Sequence, residues 1–180
     1  MKKILLVFSA LALVVGMGAG CQKDDIPYTS ATVIPTWPTY TNEDFGFSLQ
    51  YPGLYELTEK DADTTTKYLN EEMRFVLSLV DPTRGEKDDP IIFLYYKEGM
   101  TMDAFKAALN TEYAEGTEIV REEKLNQGGF IVTEMENTTS VSTNKIHYLR
   151  ETGEGLLIFS VFLFERENFA EIFETMRSAE

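Results

Sequence analysis

The sequence predicts an α+β fold: a central, largely antiparallel sheet of about six to seven strands with two main helices to cover it. Three observations carry this. Short alternating or apolar runs recur with Gly, Pro or Asn turns between them, the pattern of strands joined by hairpins. Two stretches leave that period of two for a helical spacing of apolar residues. The run Leu156–Phe164 is almost wholly apolar, as a strand covered on both sides must be.

Phe47, Leu49 and Tyr51 alternate with Ser48 and Gln50, which predicts a half-buried strand that Pro52 and Gly53 interrupt. Arg74–Val80 reads as the next strand, and the polar stretch from Asp81 to Pro90 as a loop. Ile91–Tyr96 is apolar on both faces and predicts a central strand. Thr101 is placed to cap a helix, with Asp103 in its first turn and Met102, Phe105, Leu109 and Tyr113 along one stripe. Thr117–Leu125 predicts a charged strand near an edge. Asn126-Gln127-Gly128-Gly129 is a tight-turn signal, and Phe130–Met135 returns as its partner. Asn137–Asn144 is polar and predicts a loop. Lys145–Arg150 predicts a further strand, joined by a Gly-containing turn to Leu156–Phe164. Asn168 and Glu171 have the spacing of a capping box, ahead of an apolar face made by Phe169, Ile172, Phe173 and Met176.

The first 20 residues have another character. Lys2 and Lys3 precede an apolar run from Ile4 to Val15, and small residues dominate Gly16–Gly20. That is the layout of a secretory signal, and the run is short of the ~20 residues that span a bilayer. Cys21, the one cysteine of the chain, follows directly. The stretch resembles a bacterial lipoprotein signal with its lipobox, although Gly18 stands where such signals usually carry a leucine-like residue. The resemblance implies cleavage before Cys21 and attachment of palmitate-type acyl lipid there. Residues 21–40 hold Pro27, Pro35, Pro38 and many Thr, and predict a tether in front of a domain spanning residues 41–180. Trp37, the sole tryptophan, is expected to pin that tether to the domain.

Composition bounds what the domain does. The chain of 180 residues is 43% hydrophobic, enough for one core, and no cysteine beyond Cys21 exists to staple it. Net charge is −14, and losing Lys2 and Lys3 with the signal makes the remainder more acidic still. Such a surface repels nucleic acid and favours basic partners or cations.

Asp44-Phe45-Gly46-Phe47-Ser48-Leu49-Gln50-Tyr51-Pro52 resembles the opening strand of PsbP-like proteins, a group with Mog1-like and DcrB-like members. Leu156–Phe164 and Phe169–Met176 are similar to that family's long apolar strand and closing helix. Where members often carry tryptophan after the proline, this chain has Leu54-Tyr55. The resemblance implies an α/β/α sandwich and no catalytic motif. Family members serve as accessory subunits, as binding partners of a small GTPase and as envelope lipoproteins.

The residues that carry chemistry are few. His147 is the single histidine and has Ser160 as a conceivable nucleophile, but no nucleophile-elbow pattern accompanies it. No Cys/His cluster suits zinc. Asp61/Asp63 and Asp88/Asp89 offer oxygen ligands without resembling a calcium loop. Tyr55, Tyr95, Tyr96 and Tyr148 are candidates to line a ligand groove. No catalytic, cofactor or metal residue is expected from this set. The expectation is a non-catalytic binding or accessory module, held at the cell membrane or outer membrane through lipid on Cys21. It would face the periplasm or cell exterior and meet an envelope protein. The alternative is a lipoprotein that binds a small molecule or cation.

Overall fold

The computed structural model describes residues 26–83, 90–112, 118–138, 145–162 and 166–179. Cys21, the signal-like segment and the Asp88-Asp89 pair lie outside these residues. The strands are β1 (Tyr28–Thr29), β2 (Thr39–Asn42), β3 (Phe47–Gln50), β4 (Glu56–Glu59), β5 (Thr65–Tyr68), β6 (Glu71–Val80) and β7 (Pro90–Glu98). Helix α1 (Met102–Glu112) follows, then β8 (Glu118–Gln127), β9 (Phe130–Thr138), β10 (Lys145–Glu151) and β11 (Gly155–Phe162). Helix α2 (Arg166–Glu174) and β12 (Arg177–Ser178) close the chain.

Among the described residues the main sheet has nine strands rather than six or seven. Its order is β1-β8-β9-β10-β11-β7-β6-β4, with β5 also paired to β6. The excess comes from the short strands β1, β4 and β5, whose polar sequences carry little apolar alternation. Strand β1 runs parallel to β8, and the other pairs in this sheet are antiparallel. A second, three-stranded sheet has the order β12-β3-β2. The predicted Phe47 strand therefore exists but belongs to this smaller sheet. Strands β11 and β7 lie centrally, as their two-sided apolar sequences require.

Side-chain alternation divides the core in two. Leu156 and Ile158 of β11 turn to one side and meet Phe105 and Leu109 of α1, with Tyr68, Leu69 and Met73 from the β5–β6 hairpin. Leu157, Phe159 and Val161 turn to the other side. There they meet Phe47 and Leu49 of the small sheet and Phe169, Ile172 and Phe173 of α2. One helix thus lies on each face, but α2 shares its face with the small sheet. Phe47 joins the two sheets through ring contacts with Phe130 and Phe159, both at 5.5 Å between centroids.

The local signals have identifiable outcomes. Thr101 Oγ1 accepts a hydrogen bond from the Ala104 amide at 3.2 Å, the expected cap of α1. Asn168 is not a cap, because α2 already begins at Arg166. Gly128 and Gly129 have φ of +56° and +83°, the two left-handed residues a tight hairpin between β8 and β9 demands. The proline-containing segment before residue 41 is attached to the domain wherever it is described. Ile34 N donates to Gln50 Oε1 at 2.8 Å, Gln50 Nε2 donates back to Ile34 O at 3.0 Å, and Trp37 packs against the core.

Gly128 is the knot of this arrangement. Its amide donates to Thr29 O of β1 at 2.7 Å, and its carbonyl accepts from the Ser178 amide of β12 at 3.1 Å. A Cβ here would stand 2.7 Å from Met176 O, 2.8 Å from Arg177 Cβ and 2.9 Å from Ala31 Cβ. Crowding and the left-handed backbone act together, so Gly128→Ala is expected to cost roughly 2–4 kcal/mol in urea unfolding. Gly153→Ala, where no atom lies within 4 Å of the added carbon and φ is ordinary, should stay within about 1 kcal/mol of the parent.

Candidate functional site

Strand pairing brings the sequence's one catalytic suggestion together. His147 of β10 stands directly opposite Ser160 of β11, on the side of the sheet that α1 covers. Alternation along β10 puts Ile146 and Tyr148 on the opposite side, as their spacing predicts. His147 and Ser160 are therefore neighbours, yet their chemistry is closed. Ser160 Oγ shares a 3.0 Å hydrogen bond with Tyr68 Oη, in which either atom can donate. His147 is wholly buried beneath the Phe105 ring, edge-on at 5.2 Å, with the Tyr68 ring at 6.3 Å. Neither imidazole nitrogen hydrogen bonds to another protein group.

Burial pushes the His147 pKa down to about 3, and the nearby Lys145 ammonium adds to the effect. A general base works best with a pKa near the operating pH, and it needs an open path for substrate. His147 has neither, and Ser160 is almost wholly buried. The pair belongs to the core.

The other candidates are dispersed. Tyr95 faces α1 and stacks on Tyr68 at 4.5 Å, whereas Tyr148 lies on the other side against Phe169 and Phe173. Tyr96 contacts Phe45 at 5.0 Å, and Tyr55 packs at the margin of that same core. These four tyrosines do not converge on one groove. Asp61 and Asp63 sit in the β4–β5 connection, where Asp61 O accepts from the Thr64 amide at 2.9 Å. Among the described residues, no group of three or more His, Cys, Asp or Glu side chains converges to hold a metal ion.

Several open grooves lie on the described surface, and two of them adjoin through Arg150 and Glu151. One, of about 610 Å³, is lined by Glu43, Asp44, Tyr96, Arg150 and Glu154. Its arginine is committed to structure: Arg150 Nη1 donates to Phe45 O at 2.9 Å, and the guanidinium lies 4.4 Å from the Phe130 ring centroid. Burial lowers the Arg150 pKa from its ordinary value. The other groove, of about 360 Å³, lies beside the start of α1 and includes Ile26, Met102, Lys124, Ile131 and Glu151. Sequence reasoning missed it because Ile26 reaches the domain only through the pairing of β1 with β8.

The fold has a solved counterpart. It is similar to the solution structure of cyanobacterial PsbP (CyanoP) from Synechocystis sp. PCC 6803, with a TM-score of 0.52 and 12% identity. The match covers 82% of this chain and 95% of that one. The fold is PsbP-like. No family model matches the chain, and no curated protein matches it by sequence. The PsbP-like fold agrees with the resemblance carried by Asp44–Pro52 and by the closing strand and helix. Among the described residues, no helix is long and apolar enough to cross a membrane.

The buried imidazole has a thermodynamic consequence. Unfolded His147 takes up a proton below pH ~6.5, and folded His147 stays neutral until about pH 3. The unfolded chain binds more protons across that window, so acidification weakens the fold by about 1.4 kcal/mol per pH unit through this residue. His147→Leu should flatten that dependence. Urea unfolding from pH 7 to pH 4 is expected to give a shallower loss of stability for the variant, and identical slopes would contradict the assignment.

Proposed function

We propose that this protein is a lipid-anchored component of a bacterial envelope, acting as a non-catalytic binding or accessory module. The observation that carries the reading is Cys21, the sole cysteine, directly behind a basic, apolar and small-residue segment. The thiol is the acceptor that lipid attachment requires, and its position would make it the first residue of the mature chain. In this reading the DcrB-like envelope lipoproteins, rather than accessory photosystem subunits, are the nearer functional analogues.

The site chemistry supports a binding role. His147 and Ser160 are sealed inside the core, and the described surface carries open grooves. Open, polar-rimmed surfaces suit contact with another macromolecule. The acidic charge directs that contact toward basic surfaces and away from nucleic acid. The partner is accordingly an envelope protein with a basic face.

Metabolic labelling with a palmitate analogue, followed by cell fractionation, tests the anchor. The wild type should carry label and sediment with membranes, and Cys21→Ala should lose both. A wild-type protein released without label would overturn the reading. Crosslinking in intact cells should then return one consistent envelope partner, in an amount that falls as salt is raised.

A further inference from the structure

The chain length between Cys21 and the folded domain constrains how the domain can stand on a membrane. Ile26 is five residues beyond Cys21 and already lines the groove beside α1. Five residues span at most ~18 Å when fully extended. Two residues later, β1 locks the chain in register, Tyr28 with Asn126 and Thr29 with Gln127. Thr32 N adds a 2.8 Å hydrogen bond to Glu174 O of α2. The anchor is therefore a short leash fixed at one edge of the sheet.

Apolar side chains are exposed at that edge beside the charged Arg121, Glu122, Glu123 and Lys124 of β8, which balance in sign. Ile131 is 47% exposed and Tyr28 63% exposed, and pairing places them at one level across β1, β8 and β9 with Asn126 between. Ile26 and Met102 share the groove with Ile131. The charged residues lining it, Lys124, Arg150 and Glu151, are mixed in sign in an otherwise strongly acidic protein. The adjoining groove, which shares Arg150 and Glu151 with this one, adds the acidic groups Glu43, Asp44 and Glu154, which the negative potential of a leaflet repels, so the contact is confined to the Ile26 side. Contact with lipid costs least where charge is balanced and isoleucine and tyrosine are exposed, and tyrosine favours the headgroup level.

We propose that the rim formed by Ile26, Met102 and Ile131, with Tyr28 beside them, rests on the headgroups of the bilayer that holds Cys21. This rests on the lipid anchor proposed above. The occupant is the membrane surface itself, because the leash is too short to carry this rim far from it. The opposite edge of the main sheet, at β4, is seven strand spacings away, or ~34 Å. It is thereby turned outward.

Site-directed fluorescence tests the orientation. Lipid occupies the Cys21 thiol, so a second cysteine can be labelled alone. Full-length Ile131→Cys, Tyr28→Cys and Leu54→Cys are produced in cells, purified in lipidated form and labelled with an environment-sensitive fluorophore. Leu54 is 72% exposed and lies next to β4, which makes it the control. Each protein is reconstituted into phosphatidylcholine vesicles that carry a nitroxide on the headgroup. Probes at 131 and 28 should be quenched several-fold more than the probe at 54. Equal quenching at all three positions in vesicle-bound protein would overturn the orientation and leave the anchor standing. Protein that stays off the vesicles with a free Cys21 thiol would overturn both.

Discussion

Strand β11 is the constraint around which the rest is arranged. Every residue from Gly155 to Val161 is buried, and alternation sends apolar side chains to both sides. A strand of this kind cannot face water on either side, so two covering layers are obligatory. Helix α1 supplies one, but its 11 residues extend only ~16 Å. The β5–β6 hairpin completes that layer with Tyr68, Leu69 and Met73. The cost is visible at Leu69, which holds a left-handed φ of 53°, with Asn70 at 61°. That backbone conformation is unfavourable by ~1–2 kcal/mol for a side chain such as leucine, and burying the leucine offsets it by a similar amount. Helix α2 and the small sheet form the second layer, with Phe47 as the plug between sheets.

The same constraint explains why the polar pair on β10 and β11 performs no chemistry. Ser160 and His147 occupy positions whose side chains must point into the α1 layer. The serine is tolerated because Tyr68 satisfies its hydroxyl. The histidine is tolerated as a neutral ring packed against Phe105, since burying a charge there would cost far more than burying a neutral imidazole. Proximity of a base and a nucleophile is thus a by-product of register. Access and hydrogen bonding, which sequence does not display, decide against catalysis.

What could be read from sequence follows from where the apolar residues lie. The longer strands and both helices announce themselves because their burial imposes a period, as in Phe130–Met135 or Phe105 and Leu109. The short strands were not legible, because β4 and β5 (Glu-Leu-Thr-Glu and Thr-Thr-Lys-Tyr) pair with β6 and each send only one large apolar side chain inward, Leu57 and Tyr68, too few to impose a period. Of the docked course of residues 28–38, only the pinning by Trp37 was legible, and the rest was hidden for a related reason. Two glutamine side chains hold it from a distance, Gln50 at Ile34 and Gln127 at Ser30 and Glu174. Nothing in the spacing of a glutamine reveals which remote carbonyl it will find. The groove of Ile26, Met102 and Ile131 inherits that invisibility, since it exists only once β1 has paired.

The N-terminal segment, the β8–β9 turn and the C-terminal strand meet at Gly128, and this junction links fold to proposed role. A proline-rich leader of this length would, as free coil, let a domain tumble above its anchor. Here Thr29, Thr32 and Ile34 are each hydrogen bonded to a different part of the domain, so the segment loses that freedom on folding. Ordering a residue costs roughly 1–2 kcal/mol of conformational entropy, which a mere spacer would have no reason to incur. Under the proposed anchoring, the ordered segment gives the domain a fixed attitude to the bilayer. A partner approaching from the envelope then meets the domain in one orientation, and less rotational freedom remains to be lost on binding.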